Sequence, residues 1–99
     1  MKNQTYIVVS SAGVNRNLSL GTREQQYWDE HAAFIDALVD KGFILLGGPL
    51  TDEGGAMIVV QAENIEAIQE TLNDDPWYCH GILSLERVSR WEIYIDQRT

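Results

Sequence analysis

Short runs of β-branched and aromatic residues alternate along the chain with segments of helical spacing. Residues 5–10, TYIVVS, predict a buried strand. The polar residues 11–21 predict a connection long enough to line a site or an interface. Residues 43–50, FILLGGPL, predict a second strand that Gly-Gly-Pro breaks with a kink. The turn residues 51–55 join it to a third strand, residues 56–61, and we expect these two strands to form a hairpin.

The first helix is predicted between the polar connection and the second strand. Thr22 offers an N-cap, and Gln25 three residues later completes a capping-box pattern. We expect this helix to run from Arg23 to Lys41, because Gly42 suits the position just after a last helical turn. Residues at helical spacing form its apolar stripe: Trp28, Ala32, Ile35 and Leu38.

A second helix and a fourth strand complete the pattern. Asn64 is predicted to cap the helix. One face of this helix carries Ile65, Ile68 and Leu72. Asp74-Asp75-Pro76 ends it, because the residue before a proline avoids helical angles. The fourth strand is predicted over residues 82–95, since side chains alternate from Trp91 onwards.

The element order βαββαβ predicts an α+β fold of the ferredoxin-like type, with an antiparallel sheet and two helices on one face. Ninety-nine residues suit one domain, which we expect to span residues 1–99. This arrangement leaves one sheet face bare. Because apolar residues occupy both faces of the strands, we expect the bare face to meet a second copy in a homodimer.

Composition narrows the choice of partners. The formal net charge is −8 and the 7 basic residues are scattered, which argues against the positive footprint that nucleic-acid binding needs. An anionic membrane surface would repel this chain, and no apolar run is long enough to span a bilayer. Met1 is not followed by the apolar stretch of a signal peptide, and the single Cys79 cannot form an internal disulfide. We therefore expect a cytoplasmic location.

His31 lies on the apolar side of the first helix, where a titratable ring needs an explanation. A helical histidine is most often satisfied by a carbonyl group or by water. An imidazole also changes charge near neutral pH, which suits general acid or base catalysis. Tyr27 and Trp28 lie on the same side of the helix, and aromatic residues beside such a ring are typical of a small-molecule pocket. Aromatic residues at this spacing are more often plain core.

Asp75 and Gly47-Gly48-Pro49 each have two interpretations. An Asp before Pro is common in turns. Alternatively, its carboxylate accepts one N–H of an imidazole, which fixes the tautomer and raises the basicity of the other nitrogen. The Gly-Gly-Pro segment is either a strand bend or a place where a ligand approaches the backbone closely.

Arg16 and Arg23 are the candidates for holding an anion. Single arginines are more often solvated surface charges, but a carboxylate or phenolate bound to so acidic a chain needs a positive group. No metal site is predicted, because the adjacent Cys79 and His80 chelate one ion poorly and no paired ligand spacing recurs. Cys79 lacks an adjacent Lys or Arg to activate it as a nucleophile. No phosphate-binding glycine motif is present, and no cofactor is expected.

The order of several of these residues along the chain resembles the motif pattern of the YciI-like (YCII-related) family. They extend over nearly the whole chain: His31, Gly47-Gly48-Pro49, Asp75-Pro76, Gly81, Val88 and Trp91. The resemblance implies a dimeric α+β barrel and an active site built on a His–Asp pair, here His31 and Asp75. An Arg before the His is usual in that family, and Arg23 is the nearest match. One branch of the family dehydrochlorinates a chlorinated hydroxyhydroquinone. The 11–21 connection and His80 have no counterpart among the family motifs.

Three hypotheses follow for the function. The leading one is a small cofactor-independent enzyme, a lyase or an isomerase, which acts on a small phenolic or carboxylated molecule. His31 would transfer a proton and Asp75 would orient its ring. The predicted substrate contacts are Arg23, Tyr27, Trp28, Gly48 and Pro49. The alternatives are a non-catalytic ligand-binding or regulatory module and a structural unit whose sheet face serves only for oligomerisation.

Overall fold

The computed structural model describes residues 3–98 of the chain. Four strands and two longer helices follow the predicted order, with two short helical turns in addition. The elements are β1 (Gln4–Ala12), a 3₁₀ turn (Thr22–Glu24), α1 (Trp28–Asp40), β2 (Ile44–Leu50), β3 (Gly55–Ala62), α2 (Ile65–Leu72), α3 (Pro76–Cys79) and β4 (Leu83–Arg90). None of the helices in this part of the chain is long and apolar enough to cross a membrane.

The strands form one antiparallel sheet in the order β2-β3-β1-β4. Tyr6 and Val8, at alternate positions of β1, are buried in one cluster with Leu38 of α1 and with Ile68 and Leu72 of α2. Because alternate strand residues point to the same face, both helices cover one side of the sheet. The strand order and the helix placement confirm the ferredoxin-like α+β fold.

The ends of α1 differ in how well local sequence predicts them. The helix begins at Trp28 rather than at Arg23, because Tyr27 adopts a left-handed conformation with φ 64° and interrupts the chain of helical angles. Its other end confirms the prediction at Gly42, which has φ 80°. The N–H groups of Gly42 and Phe43 donate to carbonyl groups of the last helical turn at 3.0 Å, which is the Schellman arrangement.

The capping box predicted at Thr22 and Gln25 is wrong. In the 3₁₀ turn, Glu24 instead accepts a hydrogen bond from the backbone N–H of Gly21 at 2.8 Å. Gln25 is buried, and its side-chain amide donates to three backbone carbonyl groups of residues 17–21 at 2.7–3.3 Å. Its amide oxygen also accepts from a backbone N–H of the same loop. The Gln25 side chain therefore stabilises the preceding loop through its hydrogen bonds and is not available to cap a helix.

Strand β2 lies at the edge of the sheet, where a proline is tolerated because its missing N–H breaks no ladder. Residues 47–49 stay in regular register with β3, so the kink predicted at Gly-Gly-Pro is wrong. The irregularity lies earlier in the strand. Ile44 and Leu46 oppose the consecutive residues 60 and 59, which leaves Leu45 as the extra residue of a bulge.

The last strand is shorter than predicted. β4 ends at Arg90, and the backbone N–H of Trp91 makes one further hydrogen bond to the carbonyl of Thr5 at 2.9 Å. Residues 91–98 have no regular secondary structure, and Tyr94 is 88% exposed. The neighbouring strand β1 begins at Gln4, so the alternating segment soon runs past its partner strand. Alternation alone does not produce a strand where no ladder is available.

Candidate active site

A histidine and an aspartate from separate elements meet beside the sheet. His31 lies in the first turns of α1, and Asp75 is the N-cap of α3, where its Oδ1 accepts from the Trp77 N–H at 3.0 Å. Nδ1 of His31 lies 2.9 Å from each carboxylate oxygen of Asp75. The Asp75 side chain is 0% exposed and that of His31 is 12% exposed. The two residues expected to form a pair are therefore in hydrogen-bond contact.

This contact fixes which nitrogen of His31 is free for chemistry. Because carboxylate oxygens only accept hydrogen bonds, Nδ1 donates and carries the ring proton. Nε2 makes no hydrogen bond within residues 3–98. A neutral imidazole held in this way presents Nε2 as a proton acceptor.

Two tryptophans hold the plane of the imidazole. The ring of His31 stacks on Trp77 with a centroid distance of 3.8 Å and an interplanar angle of 6°. Trp28 approaches the same ring at 5.9 Å and 49°. Trp77 is itself anchored, since its Nε1–H donates to the carbonyl of Gln26 at 2.8 Å. The ring is therefore fixed by a hydrogen bond at one nitrogen and by an indole against one face.

His31 and Asp75 line a cavity of about 370 Å³, bordered by residues of α1, β2, β3 and α3. This volume lies within the range of small-molecule pockets. Most of the wall is apolar, with Trp28, Ile35 and Ile58 among its residues. An apolar wall with a few convergent polar groups is typical of a ligand site.

The structure brings some of the predicted substrate contacts to this cavity and leaves others outside. Trp28, Gly48 and Pro49 line it. Arg23 is exposed on the 3₁₀ turn and is not among the lining residues. Tyr27 also lies outside the lining set, and its ring stacks on His80 at 4.0 Å and 9°. The backbone of Tyr27 is in the left-handed region, at φ 64°, where its ring makes this contact with His80.

Gly47 matters more for the shape of the cavity than Gly48. It pairs with Ile58, which lies on the helix-covered face, and a Cβ on Gly47 would lie 2.5 Å from Cγ2 of Ile58. A Cβ on Gly48 would meet no atom of residues 3–98 within 4 Å. Glycine at position 47 therefore lets the edge strand lie close to β3 along the cavity wall.

Tyr78 is a cavity residue that sequence reasoning missed. Its hydroxyl hydrogen-bonds to the buried hydroxyl of Ser10 on β1. Burial raises the pKa of Tyr78 above its usual value of 10.0, the nearby Asp75 carboxylate raises it further, and the Ser10 bond opposes both. The phenol is thus kept protonated. Its position three residues after Asp75, in a helical turn, is the signal that could have identified it.

Within residues 3–98, no group of three or more His, Cys, Asp or Glu side chains is arranged to hold a metal ion. Cys79 is exposed, and its thiol donates to the carbonyl of Asn73 at 2.9 Å. It is not among the residues that line the cavity.

The comparisons with known proteins concern both the family and the fold. A family model described as the YCII-related domain matches residues 7–92. No curated protein matches the sequence. Among solved structures, the chain is similar to 5-chloro-2-hydroxyhydroquinone dehydrochlorinase (TftG) from Burkholderia phenoliruptrix AC1100, in complex with 2,5-dihydroxybenzoquinone. The sequences are 24% identical with a TM-score of 0.66, and the match covers 88% of this chain and 93% of that chain. At this identity the likeness supports the fold.

Proposed function

Because the chain belongs to the YCII-related domain family, we propose that it is a small cofactor-independent enzyme, a lyase or an isomerase, that transfers protons on a small molecule. The observation that carries the proposal is the 2.9 Å contact between His31 Nδ1 and Asp75 at the wall of the 370 Å³ cavity. A ligand in this cavity reaches a base that is already oriented. The dehydrochlorinase activity of the structurally similar protein fits an elimination of this kind.

In the proposed reaction, Nε2 of His31 accepts a proton from a carbon or oxygen of the substrate. The carboxylate of Asp75 stabilises the imidazolium that forms, without taking the proton. In a lyase, the electron pair left on the substrate forms a double bond and expels a leaving group. In an isomerase, the imidazolium returns the proton to a different atom of the same molecule. The indole of Trp77 keeps the ring in plane throughout.

The proposal is tested first by ligand binding and then by proton exchange. We would measure the thermal shift with 2,5-dihydroxybenzoquinone and related phenols, and then the deuterium incorporated into bound compounds in D₂O by mass spectrometry. His31→Ala and Asp75→Asn are expected to lower exchange or turnover by about 10²–10⁴-fold. His80→Ala is the matched control, since His80 is exposed and does not line the cavity. Binding without exchange would favour a ligand-binding module, and unchanged turnover in His31→Ala would rule out the assigned base.

We also propose that the chain forms a homodimer through the sheet face opposite the helices. Cross-strand partners share a face, so Leu46, Val59 and Ile7 form one row on this side, in which Val59 is already covered within the chain at 1% exposure. Met57 and Val9 belong to the next row. Leu46 is 41% exposed and Met57 is 37% exposed. An apolar sheet face of this kind is typical of a contact between two copies.

A further inference from the structure

Arg16 lines the same cavity but has no part in the proton transfer described above. Among the lining residues that the structure describes, it is the only Lys or Arg, and Asp75 is the only carboxylate. Both oxygens of Asp75 already contact His31. Within the part of the chain that the structure describes, Arg16 forms no salt bridge. The chain has a formal net charge of −8, yet this cation in the cavity wall is not paired with a carboxylate. We therefore expect it to bind an anionic partner.

The hydrogen bonds of Arg16 point to the same partner. Its Nε–H is buried and has no acceptor within residues 3–98. Its Nη2 reaches the hydroxyl of Thr22 only at 3.5 Å. The Nη1 atom also has no hydrogen-bond partner within residues 3–98, and it is not buried, so Nη1 and Nη2 can donate together to a planar anion with two oxygens, as arginine does to carboxylates in proteins. Such a ligand would pair the guanidinium charge, which no carboxylate within residues 3–98 balances in a salt bridge.

The backbone around Arg16 holds this side chain in place. The N–H groups of Gly13 and Asn15 donate to the carbonyl groups of Ile82 and Gly81 at 2.9 and 2.8 Å, so the loop is fixed to the turn before β4. The Arg16 side chain then passes the β2–β3 turn, where a Cβ on Gly54 would lie 3.5 Å from its Nε. A guanidinium positioned by the fold loses less entropy when it binds a ligand.

We propose that Arg16 is a substrate-binding residue that selects a small planar anion, a carboxylate or phenolate, for the cavity that holds His31 and Asp75. The inference rests on the proposed function for the location of the substrate, and it adds the charge that the substrate carries. The aromatic walls provided by Trp28 and Trp77 favour a flat ligand.

The test compares two ligands that differ in charge and little in shape, 4-hydroxybenzoate and 4-hydroxybenzamide. Dissociation constants and the shift of the Arg16 Nε–Hε signal are measured by ¹H–¹⁵N NMR. The wild-type protein is expected to bind the anion about 10–100-fold more tightly than the amide. Arg16→Gln should abolish this preference and Arg16→Lys should keep part of it. Arg23→Gln, in an exposed arginine outside the cavity, should leave it unchanged.

Equal affinity for the two ligands in the wild-type protein, or failure of both to bind, would overturn the inference. So would a preference that survives in Arg16→Gln, whose amide spectrum also reports whether the variant is folded. The proposed function fails by a separate measurement, the turnover of His31→Ala. If that variant keeps its turnover while Arg16→Gln loses the charge preference, the assigned base is refuted and the anion site stands.

Discussion

Replacing Asp75 with Asn is expected to move the ring proton of His31 from Nδ1 to Nε2. The Oδ1 atom of Asp75 accepts from the Trp77 N–H at 3.0 Å, and the oxygen of the new amide must take this position because an NH₂ group cannot accept. The NH₂ group then faces Nδ1 of His31, across the 2.9 Å that Oδ2 now spans. Because NH₂ only donates, Nδ1 has to become the acceptor.

The magnitude follows from what the substitution keeps and what it removes. The side chain has nearly the same shape, and asparagine is also a good N-cap, so the start of α3 should survive. One buried hydrogen bond loses its ionic partner, which costs about 1.5–3 kcal/mol of folding free energy. The Nε2 atom, now protonated, can no longer act as a base, so activity should fall by about 10²–10⁴-fold. The loss of activity therefore comes from the tautomer and not from unfolding.

The tautomer can be read directly, without knowledge of the substrate. Long-range ¹H–¹⁵N correlation spectra at alkaline pH, where imidazole is neutral, distinguish a protonated Nδ1 from a protonated Nε2. We expect Nδ1–H for His31 in the wild-type protein and Nε2–H in Asp75→Asn. Within residues 3–98, His80 makes no hydrogen bond to Asp75, and its ring stacks on Tyr27, so it should keep one pattern in both proteins. If His31 has the same tautomer in both, Asp75 does not orient the ring.

Three further predictions concern the cavity wall, the proposed dimer and pH. Gly47→Ala should lower the free energy of unfolding, measured in urea, by about 1–3 kcal/mol through overpacking. Gly48→Ala should change it little, because the added methyl group would enter open space. Equal effects of the two substitutions would contradict the packing argument. Met57→Glu should give monomers, as measured by light scattering, whereas the control variant Ile65→Glu should leave the dimer intact, because Ile65 is equally exposed at 37% but lies on α2. A dimer that persists in both variants would refute the interface. The raised pKa of Tyr78 means that the folded protein keeps a proton that the unfolded chain releases, so stability should fall as pH rises above 10.0. Tyr78→Phe should reduce this fall in urea unfolding between about pH 9 and pH 11, and an unchanged slope would exclude that cause.

Features that depend on near neighbours in the sequence could be predicted. The Asn64 cap is confirmed, since its Oδ1 accepts from the Ala67 N–H at 2.8 Å, only three residues away. The end of α1 at Gly42 depends on bonds that span five residues or fewer. The strands of the central sheet follow from alternation because their partners were present to complete the ladder.

Features that depend on distant partners could not be predicted. The path of the 11–21 loop depends on contacts such as the Asn15 side chain donating to the His80 carbonyl, 65 residues away. Nothing local in the sequence separates Arg16, which lines the cavity, from Arg23, which does not. Likewise, the alternation of residues 91–96 carries no information about where the partner strand β1 begins. In each case the missing information is the position of another part of the chain.

The two interpretations of Asp75, a turn residue and an orienting group, turn out to be compatible because a carboxylate has several acceptor sites. One oxygen caps α3 through the Trp77 N–H, and both oxygens lie within reach of His31. The cap also sets the position of Trp77, whose indole stacks on His31. The turn that ends one helix and starts the next therefore fixes both the hydrogen bond and the plane of the imidazole. For this reason Asp75→Ala, which removes the cap and the orienting group together, would confound stability with catalysis, and Asp75→Asn is the substitution that separates them.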